Sequence, residues 1–263
     1  MKKTVLLLLL PIFAFTVEQL RVLPVNPTPE PETVVLAMAM PKDSQIFRKN
    51  PVYIQFRIDG YSLGAGSSQF PRSREIVASD MGQTVHIIID NMSYFPVNNP
   101  AIDPFEESGW YYNTSYKFEL PYELKEGKHV LRAFPARAYG ESLKGDQTFK
   151  TVVFYVGDKK DDWSIDLAQP FITYNEPSEH YHYTADTPIL LDFLVSNCEL
   201  TRDGYKVKLS VDGKVNRVIT SWPPYSIYGL PKGAHTIRLE LLDAKDQLVK
   251  TPFNDVERKI QVH

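Results

Sequence analysis

Hydrophobic and polar positions alternate with a period of two along most of this chain. In "VYIQFRID", Val52, Ile54, Phe56 and Ile58 share one face, while Tyr53, Gln55, Arg57 and Asp59 share the other. "ILLDFLVS" repeats the pattern with Ile189, Leu191, Phe193 and Val195 inward. "VHIII" offers Val85, Ile87 and Ile89, and "VKLSV" offers Val207, Leu209 and Val211. Alternation over such runs marks half-buried strands. No amphipathic stretch keeps a helical period beyond about two turns. The pattern predicts an all-β protein.

The strands fall into two similar series. "ELKEGKHVLRAF" at 123–134 returns as "GLPKGAHTIRLEL" at 229–241. Around each phrase the order is the same: a short opening strand, a Pro-led strand, a strand ending in "DN" or "DG", the Gly-x-His phrase, and a last strand. The last strands are "FKTVVFYVG" and "VERKIQV". The halves span 33–157 and 164–263, each the size of one antiparallel sandwich. "GDKKDDWS" at 157–164 joins them. Asp212-Gly213 suits the positive φ of a tight hairpin. His129 and His235 stand where a strand enters the core, sharing a face with Leu131 and Ala133 in one half and with Ile237, Leu239 and Leu241 in the other. A side chain required twice at one structural point serves the fold: its ring packs and its nitrogen bonds a nearby loop carbonyl.

The phrase "GLPKGAHTIRLELLDAKDQLV", preceded by "VDGKV" and "PPYSIYG", resembles the late strands of bacterial immunoglobulin-like or fibronectin-III-like modules. The resemblance covers most of 164–263 and extends more loosely over 33–157, where inserts at 60–82 and 93–115 depart from the pattern. It implies two tandem immunoglobulin-like antiparallel β-sandwiches, used as spacers, adhesion units or accessory modules of envelope proteins and glycan-active enzymes.

Composition narrows the function. The 263 residues carry a formal net charge of -3, with no basic patch to attract nucleic acid. Aromatics at 12% and 20 prolines fit strands and turns. The single cysteine, Cys198, excludes an intrachain disulfide. "MKKTVLLLLLPIFAFT" has the lysine flank and short apolar run of a signal peptide, placed at 1–16, and is too short to anchor in a bilayer. No later stretch suits a membrane span. A protein exported to the periplasm or cell surface is expected. Residues 17–32, with Pro24, Pro27, Pro29 and Pro31, are expected to form a proline-rich extended spacer that packs no core.

Candidate chemistry lies in what is not repeated. Trp110, Tyr111 and Tyr112 in "ESGWYYNTS" form either a displayed aromatic loop for a sugar or protein partner, or a strand edge that folds its aromatics back inside. His180 and His182 in "EHYHYTAD" fall on one face of a strand: their placement is read first as structural or at the surface, and as the alternative they share a metal with Glu179, for which the sequence identifies no further ligand. "GAGSSQFPRSRE" lacks the Lys-Ser/Thr ending of a phosphate loop and predicts a flexible surface loop with Arg72 and Arg74 solvated. Asn91 and Asn113 match glycosylation acceptors, and are read as chance matches because the short lysine-led leader looks bacterial. The sequence carries no Gly-x-Ser-x-Gly elbow and no His-Glu-x-x-His pair. The expectation is a non-catalytic envelope or surface protein, without cofactor, that binds or spaces a protein or envelope polysaccharide, in part by strand addition at an exposed edge. Its alternatives are a carbohydrate-binding accessory protein using the aromatic loop, and a hydrolase with Asp161, Asp162 and His180 at the inter-domain joint.

Overall fold

The computed structural model describes residues 19–98, 115–160 and 163–263. The expected signal peptide lies outside the described residues. Among them every regular element is a strand, apart from one 3-10 turn at Pro71–Arg74.

The first sandwich has one sheet in the order β2 (Val35–Met40), β4 (Tyr53–Asp59), β7 (Ser115–Glu119). Its second sheet runs β3 (Gln45–Phe47), β9 (Lys150–Val156), β8 (Gly127–Ala136), β5 (Thr84–Ile89), β6 (Phe95–Val97). The second sandwich sets β1 (Arg21–Pro24), β14 (Tyr225–Tyr228), β11 (Ile189–Ser196), β10 (Phe171–Glu176) against β13 (Lys214–Ile219), β12 (Lys206–Val211), β15 (Gly233–Leu242), β16 (Asp255–Val262). Neighbouring strands are antiparallel except β3 beside β9. The protein is all-β, two tandem immunoglobulin-like sandwiches.

Each sandwich fills its own core with the residues that alternation turns inward. Val52, Ile54, Phe56 and Ile58 pack with Ile87, Leu131 and Phe154. Ile189, Leu191 and Phe193 pack with Val207, Leu209, Ile237 and Leu239, and Val195 is partly buried against them. Burying side chains of this size is worth about 1.5–3 kcal/mol each, so the two stripes supply most of the drive to fold.

The spacer expected at 17–32 is corrected. Residues Arg21–Pro24 are a strand, paired antiparallel with Tyr225–Tyr228 of the second sandwich. Val22 enters that sandwich's core. Alternation explains it: Val22 faces in, and its neighbours Arg21 and Leu23 face out. Downstream, the Thr28 amide and hydroxyl donate to Glu141 at 2.8 and 2.7 Å. Glu30 accepts from the Lys144 and Gly145 amides at 2.6 and 3.0 Å. Proline removes donors but leaves carbonyls, and Arg137 donates to the Pro29 carbonyl at 2.6 Å. The segment is therefore an arm that belongs to the second sandwich's sheet and straps across to the first.

A second departure concerns the outward faces. Alternation predicts solvent on one side of β5, β10 and β11, yet β5 and β10 are buried on both faces, and so are the first six residues of β11. The outer face of the β5–β8 sheet packs on the outer face of β10 and β11. Ile88, Tyr94 and Phe134 meet Leu194 there, Tyr139 meets Leu190, and Val130 meets Phe171 and Phe253. Each sandwich keeps its own core, and a third apolar layer joins them.

Candidate functional site

The two repeated histidines have matching partners. His129 places Nδ1 2.8 Å from Asp90 Oδ2 and Nε2 2.8 Å from the Lys125 carbonyl, while the Val130 amide donates to Asp90 Oδ1 at 2.9 Å. His235 places Nδ1 2.7 Å from Asp212 Oδ2 and Nε2 2.8 Å from the Pro231 carbonyl, while the Thr236 amide donates to Asp212 Oδ1 at 2.8 Å. Both aspartates hold a positive φ, 53° and 50°, so each turn, at the end of β5 and of β12, aims its carboxylate at the neighbouring strand, β8 and β15. Burial opposes ionisation of Asp212, but the bonds from His235 and Thr236 hold its carboxyl below the usual range. These are fold staples, one per sandwich, and the carbonyl contact is the one that the sequence pattern implies.

The densest polar chemistry lies between the sandwiches. Arg132 of β8 is buried and donates to the Ile172 carbonyl and the Thr173 hydroxyl of β10, both at 3.2 Å. It also bonds the Asp90 carbonyl, and its guanidinium lies 4.0 Å from the centre of the Phe253 ring. Burial brings this guanidinium down to about 9. His86 of β5 donates from Nδ1 to Asn175 Oδ1 at 2.7 Å. Burial holds the His86 ring neutral, with a pKa of about 3. Asn175 passes the contact on to the Gly140 carbonyl and to Asp192 Oδ2, each at 2.7 Å. Lys144 meets Asp192 Oδ1 at 2.5 Å.

Glu176 ends the row, beside Asp192 in the β10–β11 register and 1% exposed. Tyr94 of the first sandwich donates to Glu176 Oε1 at 2.6 Å, and its ring stacks on His86 with centres 3.6 Å apart. Burial pushes the Glu176 carboxyl up to about 8, against the bonds from Tyr94, Ser178 and Tyr183.

Several expectations change here. Trp110, Tyr111 and Tyr112 lie outside the described residues, as do Asp161 and Asp162. The metal set is not assembled. The segment after β10 is a turn instead of a strand, so His180, His182 and Glu179 share no face. His180 Nε2 meets the Tyr94 carbonyl, Glu179 accepts from the Ser93 hydroxyl at 2.8 Å, and the His182 ring lies 5.9 Å from that of His263. Among the described residues no group of three His, Cys, Asp or Glu side chains is placed to hold a metal. The loop at 64–75 is corrected in part: Arg72 is 8% exposed, with Nε 2.8 Å from Glu141 Oε2. Pro71 starts the 3-10 turn that directs it inward. Asn91 donates to the Pro252 carbonyl within the joint.

Sequence reasoning missed Arg132, Glu176 and Asp192. Their signal was present in the outward positions: "ILLDFLVS" carries Leu190, Asp192 and Leu194 on its supposedly wet face. A charge flanked by leucines on that face marks a covered surface.

No family model matches the chain, and no curated protein matches it. Among solved structures, the fibronectin(III)-like modules of Clostridium thermocellum CbhA align over 87% of this chain and 94% of theirs, at 12% identity and a TM-score of 0.29. A Bacteroides ovatus protein, SGBP-B of the mixed-linkage glucan utilization locus in complex with a mixed-linkage heptasaccharide, aligns over 94% of this chain and 48% of its own, at 16% identity and a TM-score of 0.20. The central fibronectin-III array of RIM-binding protein aligns over 87% of this chain and 69% of its own, at 10% identity and a TM-score of 0.25. None of these superposes closely enough to carry an argument about this chain. Among the described residues no helix is long and apolar enough to cross a membrane.

Proposed function

We infer that this is a non-catalytic protein, exported by its leader to the envelope or cell surface, whose two modules bind or space a protein or an envelope polysaccharide. The modules correspond to 33–157 and 164–263. The observation that carries this reading is the filled joint between them. Arg132, His86, Asn175, Asp192 and Glu176 bond one another, backbone carbonyls and the neighbouring Tyr94, Lys144, Thr173 and Tyr183 side chains, with the first sandwich facing the second and Arg132 Nε left over. Such a joint suits holding two modules at a fixed angle and leaves its charged groups no substrate. His180, the described member of the proposed hydrolytic set, is taken up by the Tyr94 carbonyl.

The test immobilises envelope protein and envelope polysaccharide separately and measures retention of the mature chain on each, with turnover of glycosidic and ester substrates followed in parallel. Retention on one of the two without turnover is the expected result. Turnover that scales with purified protein would overturn it. If retention is on polysaccharide, Trp110→Ala tests the aromatic loop, and unchanged retention removes that loop from the account.

A further inference from the structure

Two carboxyls stand side by side in this joint, and the cation there pairs with one of them. Lys144 pairs with Asp192 at 2.5 Å. Among the described residues no basic side chain pairs with Glu176, and its carboxyl is met only by hydroxyls. A lone buried carboxylate is costly, and such a group ordinarily takes up a proton instead.

The hydrogen count at Tyr183 leads to the same state. Its oxygen accepts from the Ser178 amide at 2.8 Å. Its single hydrogen faces two acceptors, the Ser178 carbonyl at 2.8 Å and Glu176 Oε2 at 3.2 Å. When the hydrogen takes the shorter path, the carboxyl has only the Ser178 hydroxyl to turn to besides Tyr94, and that hydroxyl is also drawn to the Tyr94 oxygen at 3.1 Å; a proton on Oε2, given to the Tyr183 oxygen, removes the competition. A proton on Oε2 satisfies every group, because Oε1 already accepts from Tyr94 at 2.6 Å.

The carboxyl is also wedged between the modules. Tyr94 reaches it from the first sandwich. So does the turn at Gly140, where a Cβ would lie 2.8 Å from Oε1. The remaining groups around it offer no compensation for a negative charge. Asp192 of β11 repels it, and partly buried Tyr181 and buried Tyr183 of the following turn stay neutral phenols that supply no positive charge. Arg258 of β16 sits over the ring of Tyr174, which shares β10 with Glu176; its guanidinium lies 5.5 Å from the ring centre and forms no ion pair with Glu176 among the described residues. His180 is held by the Tyr94 carbonyl, Glu179 by Ser93, and the neutral His86 ring is stacked on Tyr94.

We propose that the joint is a proton-operated latch: with a proton on Glu176 the two sandwiches are held in one orientation, and loss of that proton releases them from each other. The latch does not depend on which partner the modules bind. Raising the pH converts a rigid pair into a jointed one: the drive to release builds between about 4.5, where the freed carboxyl ionises, and about 8, where the buried one does, and is complete by pH 9.

The test measures the distance between spin labels on Lys49→Cys in the first sandwich and Lys214→Cys in the second, in a Cys198→Ser background, at pH 6 and pH 9. One narrow distribution at pH 6 and a broad one at pH 9 is expected. Glu176→Gln keeps the acceptor for Tyr94 and supplies a donor for Tyr183, so it should stay narrow at both. An unchanged distribution in the parent, or equal broadening in Glu176→Gln, overturns the proposal. Should that variant not fold, the carboxyl-carbon titration of Glu176 in the unsubstituted chain decides: a midpoint well above 4.5 supports the latch, and an ordinary one overturns it.

Discussion

The arm at 19–32 makes the most specific demand on the account, because a free spacer and a core strand respond differently to adjacent substitutions. Val22 is 7% exposed inside the second sandwich, whereas Leu23 is 43% exposed on the opposite face of the same strand. Val22→Ala removes two methyl groups at about 0.8 kcal/mol each. The cavity adds to this, because the Val22 site is walled by β14 and the sandwich core and collapses only in part. The expected cost is about 1.5–2.5 kcal/mol, or roughly 3–10 °C in Tm for a chain of this size. Leu23→Ala should cost under about 0.5 kcal/mol, as an exposed site does. Urea titration with matched m-values, together with thermal melts of the chain from residue 19 onward, reads both. If the two variants melt together with the parent, residues 21–24 are not part of the second sandwich and the strap argument fails.

Two further outcomes follow from the polar framework. Asp90→Asn and Asp212→Asn should each cost about 1 kcal/mol in urea titration, since each loses a charge-assisted bond from a partly exposed carboxylate. Their effects should add, because the staples belong to different cores. Stability against pH should peak between about 4.5 and 6.5. Native Glu176 keeps its proton to about 8 while the unfolded chain loses it near 4.5, so stability falls as pH rises through that window. Native His86 stays neutral to about 3 while the unfolded chain protonates near 6.5, so stability falls as pH drops through that window. Where the windows overlap the slopes oppose; outside it each is at most about 1.4 kcal/mol per pH unit. Glu176→Gln should flatten the alkaline limb alone, and a limb that persists would contradict the assignment.

The inward half of the structure was legible in the sequence, and the outward half was not. Ile54, Phe56, Leu191 and Phe193 could be placed because a core face imposes period two on neighbouring residues. The doubled His phrase exposed a repeated staple, although its aspartates were read only as turn residues. Asp90 and Asp212 lie 39 and 23 positions from their histidines, and nothing local links such pairs. The joint was hidden for a related reason. Alternation reports which residues face a module's own core, and it says nothing of what covers the other face. Prolines at 24–31 misled in a different way. A missing amide donor rules out a central strand, but it permits an edge strand whose carbonyls and one inward valine do the binding. The metal set failed because "EHYHYTAD" was given strand geometry where the chain turns.

The central claim is that arm, first sandwich and second sandwich form one mechanical unit at mildly acidic pH. Scanning calorimetry of the chain from residue 19 onward at pH 5.5 tests it directly. The account predicts a single transition whose calorimetric and van't Hoff enthalpies agree, a ratio of about one. Two resolved transitions, or a ratio near two, would show modules that melt separately and would contradict it.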